Sequence, residues 1–377
     1  MHDNSLIWAR VDLNQDKLET EMWVKNCWYV IAWDHEIPAA NEDKLFTRKV
    51  LNEPILVLRT SDGSMVAIAD KCCHRHAPLS AGHREGDDVR CGYHGLLFDA
   101  HGQCKEVPGM DTPPPKACVK KYPLAVKNKW VFVWMGDDDK ADLAMLPDNF
   151  SCDHSDWVNV PGYMHYDTPY LLIADNLLDF SHLSYVHANT LGGSVAIALA
   201  KPLVEVIDSN GQRGVKVSRF IPDVPAPPYY KRFQDFDSNL DRWFIYDFLF
   251  PSTLLMHSGG RPVGDAADDN SRAVINHSCQ TLTPETDSST HYFFQQSHRA
   301  SVQDPTIRHN MFNTLIEAFN EDRDTITAQF KNLTENAEHE MLPLHFDSAL
   351  IRFRKMLADA VQLEKNAAPH TIVKFNK

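Results

Sequence analysis

Two short stretches of this sequence each offer one thiol and one imidazole: Cys72-x-His74 and, after sixteen intervening residues, Cys91-x-x-His94. Sulfur and imidazole nitrogen together suit a tetrahedral zinc, or a [2Fe–2S] cluster in which two histidines replace two cysteines on one iron. Zinc modules commonly pair Cys with Cys and His with His at short spacing. Here each stretch carries one of each, so a single loop can give its sulfur to one iron and its nitrogen to the other. A structural zinc, or cysteines buried only for packing, is the competing reading of these residues.

A second constellation lies further along. His182 and His187 are five residues apart, with Asp179 three residues before the first. On an ideal helix, side chains five apart diverge by about 140°, so two ligands at this spacing require the helix to bend or end between them. Residues three apart share a face, and the Asp179 carboxylate is expected to accept the second ring N–H of His182. Periodicity supplies a third donor. Leu315, Phe319, Ile326 and Phe330 recur at helical spacing, and Asp322 falls in that apolar stripe, with Gln329 on the same side. A core-facing carboxylate is costly unless it is paired or coordinates a cation; an ion pair with a core-facing arginine is the bland alternative. Two histidines and one carboxylate with open positions form the facial set of non-haem Fe(II) oxygenases.

The elements that must position these groups fall into two classes. Cys27–Trp33, Phe46–Val50, Ile55–Leu58, Met65–Ala69 and Trp130–Met135 read as short strands separated by turns such as Ser61-Asp62-Gly63. This is a small all-β unit with both Cys/His stretches in its loops. After Gly136-Asp137-Asp138-Asp139-Lys140 the character changes, and a domain boundary is expected there, giving 1–150 and 151–377. The second unit begins with a helix expected over Asp175–Val186. Strands follow at Leu203–Ile207, Val215–Ile221, Trp243–Phe250, Thr253–His257, Ala273–Thr283 and His291–Gln296, then helices at Thr306–Leu333 and Asp347–Lys365. Strands followed by helices argue for an α+β domain with helices on one face of a curved antiparallel sheet.

With 377 residues the chain has room for two such domains. Its 37 basic and 51 acidic residues give a net charge of −14, which argues against sequence-independent binding to nucleic acid or an anionic membrane. Eight scattered cysteines are not a disulfide framework, and thiolate ligands need reducing conditions, so the cytoplasm is the expected compartment. Neither a signal peptide at Met1–Glu21 nor a membrane-spanning run is expected. No Gly-x-Gly-x-x-Gly motif occurs, so electrons for any redox chemistry should come from another chain.

From Asn26-Cys27-Trp28-Tyr29-Val30 to Asp322 the sequence resembles the catalytic subunit of the Rieske non-haem iron oxygenases, nearest the vanillate O-demethylase and phthalate-type branch. The motifs are the two Cys/His pairs, Asp175-Asn176-Leu177-x-Asp179-x-x-His182-x(4)-His187, and Glu321-Asp322. The resemblance implies a Rieske [2Fe–2S] cluster on Cys72, His74, Cys91 and His94, and a mononuclear Fe(II) on His182, His187 and Asp322. It implies a catalytic role for Asn176 and for Asp179, the latter bridging His182 to His94 of a neighbouring subunit. The implied fold is an all-β Rieske domain followed by a helix-grip (Bet v 1-like) catalytic domain.

The implied function is a terminal oxygenase that uses O2 and external electrons to hydroxylate or O-demethylate an aromatic or similar apolar ring compound. A phthalate-type ring-hydroxylating dioxygenase is the alternative, and an electron carrier or structural metal protein the rival from another class. The implied partners are an NAD(P)H-dependent reductase, directly or through a ferredoxin, and two further copies of the chain in a head-to-tail trimer. Gln280, Asn313 and Phe248 are the expected substrate contacts, among the aromatic candidates Phe220, Trp243, Phe244, Tyr246 and Phe250. Arg219, Arg232 and Arg242 are read chiefly as surface charges that could bind an acid. The sequence departs from the family at Cys73 and His76, where Pro and a small residue are usual, and at Leu96, where many ring dioxygenases carry Trp.

Overall fold

The computed structural model describes residues 23–192, 194–227, 229–302, 304–335 and 341–367. The stretch Met1–Glu21 therefore lies outside the described residues.

The first half is built from short strands: β1 (Trp28–Trp33), β2 (Phe46–Val50), β3 (Glu53–Arg59), β4 (Met65–Ala69), β5 (His83–Glu85), β6 (Asp88–Arg90), β7 (Leu97–Phe98), β8 (Cys104–Glu106), β9 (Lys121–Tyr122), β10 (Leu124–Lys127) and β11 (Trp130–Trp134). They form three small sheets ordered β1-β11-β10, β2-β3-β4-β9 and β5-β6-β7-β8. The strands expected at Phe46–Val50 and Met65–Ala69 are found with those bounds.

The two Cys/His stretches fold into one repeated turn. In the β4–β5 connection the Cys72 N–H donates to the Ala77 carbonyl at 2.9 Å and the His76 N–H to the Cys72 carbonyl at 2.9 Å. In the β6–β7 connection the Cys91 N–H donates to the Leu96 carbonyl at 2.8 Å and the Gly95 N–H to the Cys91 carbonyl at 3.0 Å. The fourth residue after each cysteine closes the turn in the left-handed region, with φ 57° at His76 and 74° at Gly95. That region is open to glycine and costs other residues energy, which is the physical reason a small residue belongs where His76 stands. The loops meet through glycine: a Cβ on Gly92 would sit 2.8 Å from the Ala81 carbonyl oxygen.

The second half is one eight-stranded antiparallel sheet. Its strands are β12 (Trp157–Val158), β13 (Gly162–Tyr166), β14 (Leu203–Ser209), β15 (Gln212–Val224), β16 (Leu240–Leu249), β17 (Thr253–Pro262), β18 (Val274–Thr286) and β19 (Ser289–Arg299). They run β12-β19-β18-β17-β16-β15-β14, with β13 also paired to β19. Four helices accompany it: α1 (Tyr170–Leu178), α2 (Val195–Leu199), α3 (Pro305–Glu335) and α4 (Ser348–Ala367). Tyr166 and Tyr292 of the sheet are sealed under α3, the Tyr166 hydroxyl donating to the Phe319 carbonyl at 2.8 Å. No helix among the described residues is long and apolar enough to cross a membrane.

The helix expected over Asp175–Val186 is two pieces. α1 starts after Pro169, whose missing N–H is no loss at a helix start, and stops at Leu178. Asp179 has extended backbone angles (φ −123°, ψ 97°), and its side chain caps the following 3-10 turn, Phe180–Ser184, by accepting from the Ser181 N–H at 2.9 Å. One residue thus ends a helix and starts a turn, and the chain between His182 and His187 is free to bring both inward. The two halves share a core that runs from Val24 and Tyr29 through Tyr166 and Phe248 to Phe353.

Candidate active site

In the first half, Cys72 and Cys91 are buried among Leu79, Val89, Leu96 and Phe98, whereas His74 and His94 are exposed. The two imidazoles face each other edge to face, ring centres 4.5 Å apart. Burial, with the neighbouring Cys91 sulfur adding to it, pushes the Cys72 thiol up to about 11. Burial raises the Cys27 and Cys152 thiols as well, so what sets Cys72 and Cys91 apart is that each shares a tight turn with an exposed imidazole. Each of the two matching turns contributes one sulfur and one imidazole, the mixed pattern that suits a cluster with two cysteines on one iron and two histidines on the other.

In the second half, α3 supplies the carboxylate. Leu315, Phe319 and Ile326 of its apolar stripe are buried, and so is Asp322, 5% exposed. One oxygen of Asp322 lies 3.2 Å from His187 Nε2 and 3.6 Å from His182 Nε2, and accepts from Asn176 Nδ2 at 3.1 Å. The distal face of each ring is fixed as well. His182 Nδ1 lies 2.5 Å from the main-chain carbonyl of Asp179 and His187 Nδ1 lies 2.8 Å from the Glu321 carboxylate. Thr190 Oγ1 also donates to Glu321 at 2.7 Å. Both Nε2 atoms are thereby aimed at the same point as Asp322. Burial holds His182 below its ordinary pKa despite Asp322. Burial also disfavours the imidazolium of His187, but the hydrogen bond and charge of Asp322, reinforced by Glu321, outweigh it and raise the pKa.

Several expectations change here. The His182 partner is the Asp179 carbonyl, not its carboxylate, which instead accepts from Ser181 and lies 3.6 Å from Arg219 Nη2. Arg219 and Arg242 are not surface charges: they are 2% and 4% exposed. The side chain of Arg232 lies outside the described residues. Gln329 is exposed, while its neighbours Ile326, Phe330 and Leu333 keep the apolar contact of α3 with the core.

A pocket opens above the triad, lined by Asn176, His182, His187 and Asp322 on one side and by Arg242, Phe244, Met256, Ser258, Gln280 and Gln296 of the sheet on the other. Gln280 is in place. Asn313 faces solvent on the other side of α3, and Phe248 is core, its ring 4.7 Å from that of Phe353 on α4. Of the aromatic candidates only Phe244 reaches the pocket; Phe220 is 64% exposed, and the Tyr246 hydroxyl donates to the Leu178 carbonyl at 3.0 Å, holding the end of α1. Strand alternation sends Trp243 and Phe220 to the other face, whereas Phe244, Tyr246 and Phe248 share one face and differ in position along it, Phe248 lying against Phe353 of α4.

Residues 27–123 match the Rieske [2Fe-2S] domain, and residues 166–363 match the vanillate O-demethylase oxygenase C-terminal domain. The iron–sulfur subunit of a toluene-4-sulfonate monooxygenase system from Comamonas testosteroni is 40% identical over 346 residues, 91% of this chain and 98% of that one. The chain belongs to the Rieske non-haem iron oxygenases. A vanillate O-demethylase oxygenase subunit from Pseudomonas sp. is 30% identical, with 93% of this oxygenase and 99% of the relative covered. The crystal structure of dicamba monooxygenase bound to 3,6-dichlorosalicylic acid superposes with a TM-score of 0.83 at 28% identity, covering 91% of this chain and 99% of that one.

The oxygenase carries a Rieske [2Fe–2S] cluster and a mononuclear non-haem iron, and it is the terminal component of a system whose electrons arrive from a separate protein. These relatives are monooxygenases and demethylases, so the dioxygenase and pure-carrier alternatives find no support. Glu321 is the site residue whose role the sequence reading missed. Its position beside Asp322 signalled a family motif but not that it would reach from α3 to the far nitrogen of His187.

Proposed function

We propose that His182, His187 and Asp322 bind the mononuclear iron, that Cys72, His74, Cys91 and His94 bind the cluster, and that the enzyme hydroxylates a methyl or methoxy carbon of an aromatic compound. The observation that carries this reading is the convergence of three ligand atoms within 4.8 Å in a buried site open to a pocket. The iron, when bound, supplies the activation of O2. The chain supplies the rest. Asp179 O and Glu321 keep the His182 and His187 rings from turning, Asn176 holds Asp322, and Phe180, Leu183, Leu315 and Phe319 exclude water from the apolar part of the pocket.

The overall balance is R–CH3 + O2 + 2 e⁻ + 2 H⁺ → R–CH2OH + H2O; on a methoxy group the same insertion gives a hemiacetal that collapses to a phenol and formaldehyde. One cluster stores one electron, so the reaction draws on both centres. A head-to-tail homotrimer sets the cluster of one subunit beside the iron of the next, with the Asp179 carboxylate as the hydrogen-bonded link, and the exposure of His74 and His94 is what such an interface requires. The domain division at about residue 150, a cytoplasmic location, and an NAD(P)H-dependent reductase or ferredoxin as electron donor belong to the same proposal.

The test is turnover with a surrogate reductase on aryl methyl and aryl methoxy acids, the class named for the relatives (toluene-4-sulfonate, vanillate, dicamba). Formation of the benzylic alcohol, or of phenol plus formaldehyde, is expected in proportion to NAD(P)H and O2 consumed; O2 uptake with no oxidised product from the whole panel would overturn it.

A further inference from the structure

The wall of the pocket opposite the triad is a sheet surface, and its chemistry is unusual for a buried face. Register puts Phe244 of β16 opposite Ser258 of β17, Ser258 opposite Asn276 of β18, and Met256 opposite Ser278. Directly opposed residues of antiparallel strands share a face, so Arg242, Ser258, Asn276, Ser278 and Gln280 all lie on the side that faces the triad. Every one of them is at least 94% buried. Buried polar atoms are ordinarily satisfied, yet this face carries a concentration of orphans: Arg242 Nε, both amide atoms of Asn276, Ser278 Oγ and Gln280 Oε1 have no hydrogen-bond partner.

Arg242 is the most demanding of them. No carboxylate among the described residues lies within 4.0 Å of its guanidinium, and Asp322, the acid in the same pocket, is committed to the two imidazoles. Its neighbours are the rings of Tyr230 and Phe244, with centres 5.1 and 5.3 Å from the guanidinium carbon. Cation–π contacts and a side-chain hydrogen bond with Tyr230 stabilise its charge, but among the described residues its Nε has no partner and no carboxylate neutralises it. Opposite Arg242 in the register stands Gly260, where a Cβ would come within 3.3 Å of Arg242 Cγ and 2.9 Å of the Tyr230 ring. That glycine leaves the arginine its room. A desolvated, unpaired cation is expensive in a folded chain, and the chain, with a net charge of −14, has placed none of its many acids there.

We infer that Arg242, with Ser258 and Gln280 beside it in the pocket wall, is the anchor for an oxyanion head group, a sulfonate or carboxylate, of an aromatic substrate. This rests on the oxygenase reading above and adds which residue selects the substrate. The planar guanidinium matches an oxyanion with two parallel N–H donors. Held by its anionic end on the sheet, an aryl ring lies against Phe244 and Met256, and the substituent across the ring is directed at His182, His187 and Asp322. Arg242 is therefore a specificity-determining residue, and the site favours the atom opposite the head group for oxidation.

Binding is measured by calorimetry on the full-length, metal-loaded enzyme without O2 or reductant, using benzenesulfonate, benzoate and the neutral isostere benzenesulfonamide. The wild type should bind at least one anion about 10-fold or more tighter than the sulfonamide. Arg242→Gln should weaken that anion by about 100-fold while leaving the sulfonamide unchanged, and Arg242→Lys should recover part of the loss. Equal affinity of the wild type for sulfonamide and both anions overturns the anchor and needs no variant. Unchanged anion affinity in a folded Arg242→Gln protein that keeps its cluster spectrum overturns it too. Because no turnover is involved, an enzyme that binds anions through Arg242 but oxidises nothing would refute the oxygenase reading and leave the anchor standing.

Discussion

The two metal-binding regions solve opposite problems with similar side chains. In the loops of the first half the sulfurs are buried and the imidazoles exposed, so one end of the site is insulated and the other is presented at the surface beside the exposed ring of Tyr93. In the second half the imidazoles point inward, His187 being 1% exposed, and each distal nitrogen is tied to a carbonyl or carboxylate. A centre that only passes electrons needs an accessible edge; one that meets O2 and substrate needs fixed ligands, a closed wall and a pocket. The location of the histidines therefore separates the relay from the reactor.

If that division of labour is right, damage to one centre should spare the other. Asp322→Ala removes the one carboxylate of the triad: turnover should fall on the order of 10³-fold or more, with iron content dropping by one per chain while the visible spectrum of the cluster is retained. Persistent product formation would disprove the role of the carboxylate. Asp179→Asn leaves the main-chain carbonyl on His182 and should keep both metals while slowing reoxidation of the reduced cluster by about 10–100-fold, read by stopped-flow in a single turnover; an unaltered rate would remove the Asp179 carboxylate from the electron path. Glu321→Gln, which weakens the tether on His187 Nδ1, should lower affinity for the mononuclear iron by roughly 10-fold, measured by competition with a chelator, and leave the cluster untouched. The smallest effect belongs to the relay. His76→Gly relieves a left-handed residue and should stabilise the protein by about 1 kcal/mol, seen as a raised denaturation midpoint of the cluster-loaded enzyme.

What could be read in the sequence follows the same division. The cluster loops were legible because their ligands are local: each Cys and His sits within one turn, and the turn repeats. Asp322 was legible through a broken apolar stripe, a signal that survives on any long helix. The helix through His182 was misread because the residue that ends it, Asp179, does so with side-chain capping of the next turn, which periodicity does not register. The pocket was the least legible part. Which of Phe244 and Phe248 faces the substrate depends on β16 register and on where α4 packs, and the burial of Arg219 and Arg242 is invisible in a sequence where both look like ordinary strand-surface charges.

The central claim, that electrons pass from the exposed-histidine loops of one subunit to the buried triad of the next, has a direct test in subunit complementation. Asp322→Ala and Cys91→Ser chains, each inactive alone, are co-expressed with distinguishable tags, and the mixed oligomer is assayed for product. Activity should return in the mixed oligomer alone, since only there does an intact cluster stand beside an intact triad on a different chain. Mixed oligomers as inactive as the two parents, with the intact centres still loaded with iron, would contradict it.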